Sequence, residues 1–150
     1  MDNVNNDYLE ETLYLLVDDM FYDLKKPLYR NLEGENISLN YIPVDCIEGG
    51  IKLICYCMAD HEHIFLDASY VGDDMEYVLK QVKKYPELKQ KITVLIGRDI
   101  NDWADRETRQ MLQLAKQLPY VIYTNKIDTI TKIIKSKQKI INQNNNLNVR

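Results

Sequence analysis

The chain has 150 residues, of which 45% are hydrophobic and 28% charged, with a formal net charge of −4. That length fits a single domain able to bury about two-thirds of its unfolded surface, and the composition excludes disordered, collagen-like and low-complexity chains. No run approaches about 18 apolar residues, and the three cysteines follow no framework spacing, so a soluble cytoplasmic protein with reduced thiols and no membrane association is expected.

Charge is unevenly placed along the chain. Residues 1–79 hold 17 Asp and Glu against 4 Lys and Arg, whereas residues 80–150 hold 6 against 15. A dipolar surface follows if the two halves stay apart in space, and head-to-tail homo-oligomers would use both poles.

Asp7 and Glu10 read as a capping box. Leu9, Leu13, Leu16, Met20, Leu24 and Leu28 then recur at steps of three or four, which predicts a long amphipathic helix that kinks or stops near Lys26, before Pro27. Its polar face carries Glu11, Asp18, Asp19 and Asp23, a candidate protein-binding surface for a basic partner.

Ile37 to Ile47 reads as a strand, placed at an edge by Pro43. Gly49-Gly50 signals a hairpin into a second strand, Ile51 to Met58, and a third is expected from His63 to Tyr70. Short connections make these three an antiparallel meander.

The remainder alternates. A helix from about Val71 to Tyr85 presents Met75, Val78, Leu79 and Val82, and the strand Ile92 to Ile96 closes at Gly97. Asn101 or Asp102 caps a helix with Ala104, Thr108, Met111, Leu112 and Ala115 on its buried stripe, ended by Pro119. Tyr120 to Tyr123 is a short strand, and Ile127, Ile130, Ile133, Ile134 and Ile140 suit a closing helix. The expected fold is α/β with a mixed sheet: an N-terminal amphipathic helix, a three-strand antiparallel meander, then α-β-α-β-α. Its parallel part contains the strands near Phe65, Val94 and Val121. One domain spans 1–141, and the asparagine-rich 142–150 forms a frayed tail.

Open parallel sheets bind ligands beyond the carboxyl ends of their strands, where Asp67, Asp99 and Asp128 are candidate Mg²⁺ ligands. Asp67 lies inside its strand, so its carboxylate needs a partner or a cation. Asp73, Asp74, Asp99 and Asp102 are equally what helix caps look like. Cys55, Cys57, His61 and His63 are the densest set of soft-metal donors, although their spacing fits no standard zinc finger. Lys132, Lys135 and Lys139 share one face of the last helix and could follow a phosphate backbone, with no aromatic side chain among them for base stacking.

The order helix, three antiparallel strands, helix, strand resembles restriction-type nucleases. Asp45 offers one acid of their pattern, but the third strand lacks a lysine two places after an acid. Residues 64–135, through Ile64-Phe65-Leu66-Asp67-Ala68, Ile92 to Gly97 and Val121-Ile122-Tyr123, are similar to the second half of anti-sigma-factor antagonist (STAS) domains, which implies partner binding. Gly72 to Met75 offers no counterpart to their phosphorylatable serine. The same stretch is similar to half of a phospholipase D-like nuclease, without the nucleophilic histidine near Ile127 to Lys132.

No glycine-rich phosphate loop or Gly-x-Ser-x-Gly motif occurs, so no catalytic residue and no cofactor is assigned. The expected function is a non-catalytic protein-binding or regulatory module with a polarised charged surface. The alternative is a divergent metal-dependent nuclease using Asp45 or Asp67, with nucleic acid on the basic C-terminal helix.

Overall fold

A computed structural model describes residues 10–18, 21–42, 61–68, 75–97 and 106–148. Within them the order is β1 (Thr12–Val17), α1 (Phe21–Asn31), β2 (Ile37–Ile42), β3 (His61–Asp67), α2 (Met75–Lys84), a 3-10 turn (Pro86–Lys91), β4 (Ile92–Gly97), α3 (Arg106–Ala115), β5 (Tyr120–Tyr123) and α4 (Lys126–Asn148). The strands form one sheet in the order β2-β1-β3-β4-β5, and every pairing is parallel. This is the flavodoxin-like, doubly wound order.

Three expectations are corrected. The sheet is not mixed, and β2 and β3 do not form an antiparallel meander: both run parallel to β1, one on either side of it. The second strand expected at 51–58 lies outside the described residues. Nor does one helix span the leucine stripe, because Thr12–Val17 is a strand. Parallel strands are covered on both faces and become continuous apolar runs, and Thr-Leu-Tyr-Leu-Leu-Val is such a run, too short for periodicity to separate from a helix. Finally, of the kink or stop expected near Lys26, the stop does not occur, since α1 carries Pro27 inside it. The hydrogen bond lost at Pro27 is offset by burying Leu24, Leu28 and Leu32 beyond and before it, at about 1.5–3 kcal/mol for each leucine. Gly34 (φ 89°) then turns the chain into β2.

The later elements follow the sequence closely. Strands β3, β4 and β5 are parallel neighbours, and Met75, Val78 and Val82 are the buried stripe of α2. Helix α4 departs from the expectation: where a frayed tail is expected from 142, the helix continues to Asn148, with residues 142–145 exposed.

Strand alternation sends side chains to two cores. Leu15, Val17, Ile64, Leu66, Val94 and Ile96 pack with α2 and α3 through Met75, Val78, Leu112 and Ala115. Tyr14, Leu16, Phe65 and Leu95 face the other way, against Leu24 and Leu28 of α1 and Ile130 and Ile134 of α4. Asn31 Nδ2 donates to Thr131 Oγ1 at 3.3 Å and ties α1 to α4. Among the described residues no helix is long and apolar enough to cross a membrane.

Deep in the second core, the Tyr14 hydroxyl donates to Gln138 Oε1 at 2.8 Å, and both side chains are buried. Burial, with the charges of Glu62 and Glu35, holds that phenol above the usual tyrosine range, so it stays a donor. Tyr14→Phe leaves the Gln138 carbonyl without this donor and is expected to cost about 1–2 kcal/mol in urea unfolding, with an unchanged m-value.

Candidate functional site

Three charged residues stand at the carboxyl edge of the sheet, each directly or closely following an apolar strand. Asp18 follows β1, Asp67 ends β3, and Lys126 opens α4 just after β5. Because β1 and β3 are adjacent although β2 intervenes in sequence, the chain reverses its winding direction between them. The crevice at such a switch point is where doubly wound sheets bind ligands.

Lys126 Nζ lies 2.6 Å from Asp18 Oδ2 and 2.7 Å from Asp67 Oδ2. The side chains of both aspartates are 0% exposed and that of Lys126 is 11% exposed, so two buried carboxylates share one ammonium. Burial alone would pull this lysine down, but the Asp67 and Asp18 carboxylates outweigh it and hold the ammonium above the usual lysine range. The Tyr123 hydroxyl donates to Asp67 Oδ2 at 3.1 Å, and the lysine also lies 5.6 Å from the centre of the Tyr123 ring. Burial, then the Asp67 charge, pushes the Tyr123 phenol up to about 12, against a partly opposing Lys126. Gly97 ends β4 beside this phenol, and a Cβ there would sit 3.4 Å from the Tyr123 oxygen, an ordinary van der Waals contact.

Local sequence explains how Lys126 arrives. Asn125 caps α4, its Oδ1 accepting from the Asp128 backbone N–H at 3.1 Å, which makes Lys126 the first helical residue. A cation at that end opposes the helix dipole, and the two carboxylates override the mismatch.

The structure separates the other candidates. Of the proposed acidic face, Glu11 is exposed ahead of β1 and Asp23 is exposed on α1, whereas Asp18 is not on a helix face at all but buried against Lys126. Asp19 lies outside the described residues. Of the Mg²⁺ candidates, Asp67 is in the cluster and Asp128 is exposed on the first turn of α4, its N–H serving the cap. Asp99 lies outside the described residues, as do Asp45, Cys55 and Cys57.

The two histidines of the suggested zinc set have other partners. His61 Nε2 lies 3.3 Å from Asn40 Nδ2, and His63 Nε2 lies 2.6 Å from Thr93 Oγ1. Burial, reinforced by the Lys137 charge, lowers His63 to about 3, so its ring is neutral. Among the described residues no three His, Cys, Asp or Glu side chains gather as a metal-binding group. Lys132, Lys135 and Lys139 are exposed along α4.

Sequence reasoning singled out Asp67 but missed Asp18 and Lys126 as its companions. A signal was present: Tyr14 to Val17, Ile64 to Leu66 and Val121 to Tyr123 are short apolar runs, each followed within three positions by a residue of this cluster. No family model matches the chain, and no curated protein matches it significantly.

Proposed function

We propose that this chain is a receiver-type regulatory module in which Asp67 accepts a phosphoryl group and thereby changes what the protein binds. The observation that carries this reading is the pair of fully buried carboxylates, from adjacent parallel strands at the switch point, held on one lysine. Asp67 is assigned as the acceptor because it ends β3 against both the Tyr123 hydroxyl and Lys126, whose ammonium it shares with Asp18.

In the reaction an Asp67 carboxylate oxygen attacks phosphorus of a donor such as an acyl phosphate, and the bond from phosphorus to the donor's leaving oxygen breaks. The electron pair leaves with that oxygen, and the product is an aspartyl phosphate. Such transfers need positioning and charge stabilisation more than covalent chemistry. Lys126, already against Asp67, supplies a fixed positive charge where the phosphoryl oxygens arrive, and the amino end of α4 adds its dipole.

Two carboxylates suit a hard divalent cation, since Mg²⁺ is commonly bound by one or two carboxylates together with substrate phosphate and water. Asp18 and Asp67 would hold it, and it would neutralise charge on the transferring group. The same donor set could serve a metal-dependent nuclease, the alternative raised by the sequence. Full burial of both carboxylates favours a small phosphoryl group over a polynucleotide. The regulatory and protein-binding expectation is kept in this proposal, as the output of the modified state.

The test is intact-protein mass spectrometry after incubation with acetyl phosphate and Mg²⁺. The expected result is a gain of one phosphoryl group that hydroxylamine removes, that EDTA prevents and that Asp67→Asn abolishes. No mass gain, or an undiminished gain in Asp67→Asn, overturns the assignment, and cleavage of plasmid or single-stranded DNA lost in Asp67→Asn would establish the nuclease in its place.

A further inference from the structure

On the opposite side of the sheet from α1 and α4, a groove of about 410 Å³ runs between α2, the 3-10 turn and the end of α3. Its floor is aliphatic, formed by Leu79, Val82, Leu114 and Leu118. Val82 and Leu118 are buried in the core beneath, while Leu79 and Leu114 are only partly covered. Around this floor stand Lys80, Lys83 and Lys89, all exposed, with Glu76 as the one acid on the rim among the described residues. Among the described residues none of the three lysines has a carboxylate within ion-pairing distance. The arrangement concentrates positive charge around open apolar surface.

An occupant must therefore bring two properties together. It needs aliphatic side chains in a row to fill the floor, and carboxylates flanking them to meet the lysines, since unlike potentials facing each other favour encounter and exclude basic competitors. A concave site of this volume takes a narrow ridge of side chains, the shape of an amphipathic helix laid into a groove, whereas a flat lipid surface would leave the floor unfilled. We infer that the groove between α2 and α3 is a docking site for an acidic amphipathic segment of a partner protein. Long lysine stems suit the task, because their methylenes extend the apolar walls while the ammonium groups stay in water. The inference stands on these residues alone and is independent of the chemistry assigned to Asp67.

The experiment uses a fluorescein-labelled synthetic peptide with leucine at helical spacing i, i+3, i+4 and i+7 and glutamate elsewhere, and a second peptide with lysine in place of each glutamate. Fluorescence anisotropy with the whole chain should show binding of the acidic peptide only, weakening as salt rises. The double variant Lys80→Glu, Lys83→Glu should weaken it about tenfold or more, with an unchanged melting curve as evidence of an intact fold. Amide shifts in the nitrogen–proton spectrum should fall on residues 76–89 and 112–118. No binding, equal binding of both peptides, indifference to the double variant, shifts confined to other elements, or preferential binding to phosphatidylglycerol vesicles would each overturn the inference.

Discussion

Lys126→Met is expected to destabilise the fold by about 3–5 kcal/mol, because it removes the ammonium that two buried carboxylates share. The methionine nearly preserves volume, so the loss reports electrostatics and not a cavity. Asp18 and Asp67 are 0% exposed on their side chains and cannot recover hydration without local opening. At this chain length the melting temperature should fall by roughly 10 °C. The triple variant Asp18→Asn, Asp67→Asn, Lys126→Met removes all three charges at similar shape, and most of the lost stability should return, since a buried ionic cluster is costly chiefly when broken. Added Mg²⁺ should raise the melting temperature of the single variant more than that of the native chain, by replacing the missing positive charge between the carboxylates. Urea unfolding that places the single variant level with the native chain would show that Lys126 is not the counter-charge.

The second large effect is acid lability through His63. Its ring is buried and pairs with Thr93 Oγ1 through Nε2, while Nδ1 has no hydrogen-bond partner among the described residues. Its ring also meets Phe65 edge to face, with centroids 5.1 Å apart. Burial lowers its pKa from 6.5 to about 3 in the fold. Between those two values the unfolded chain binds a proton that the native chain does not, so stability rises with pH across this window and is lost as pH falls through it. The contribution lost by pH 3 is on the order of 4 kcal/mol. His63→Leu combined with Thr93→Val removes the titrating ring and its partner together, leaving no stranded hydroxyl. Stability of this double variant should vary less between pH 6.5 and 3 than that of the native chain. Parallel pH profiles for the two proteins would rule out the histidine as the source.

Much of the second half was readable without coordinates. Ile92 to Gly97 and Tyr120 to Tyr123 are short apolar runs closed by turn residues, and Met75, Val78 and Val82 recur at helical spacing. These are local patterns imposed by one-sided or two-sided burial, and they survive in any packing that buries them. The first half misled for a physical reason. Leu13 and Leu16 belong to a central strand, and Leu24 and Leu28 to a helix on its face, yet their spacing merges into one stripe because a strand covered on both sides loses its alternation.

The chemistry of the site was legible in one residue only. A carboxylate within the apolar run ending at Asp67 demanded a partner, and that demand is a property of the residue and its neighbours. Which partner answered it was settled by topology. Lys126 and Asp18 are separated by 108 positions. They meet because β1 inserts beside β3 and the end of β5 delivers the first turn of α4 to the same edge. The amino-acid order thus determined which short segments must be buried and that one buried charge required neutralising. Only the tertiary structure decided the strand order, and with it which distant charges share that burial, because hydrophobic patterning specifies a face to cover but carries no information about the element that covers it.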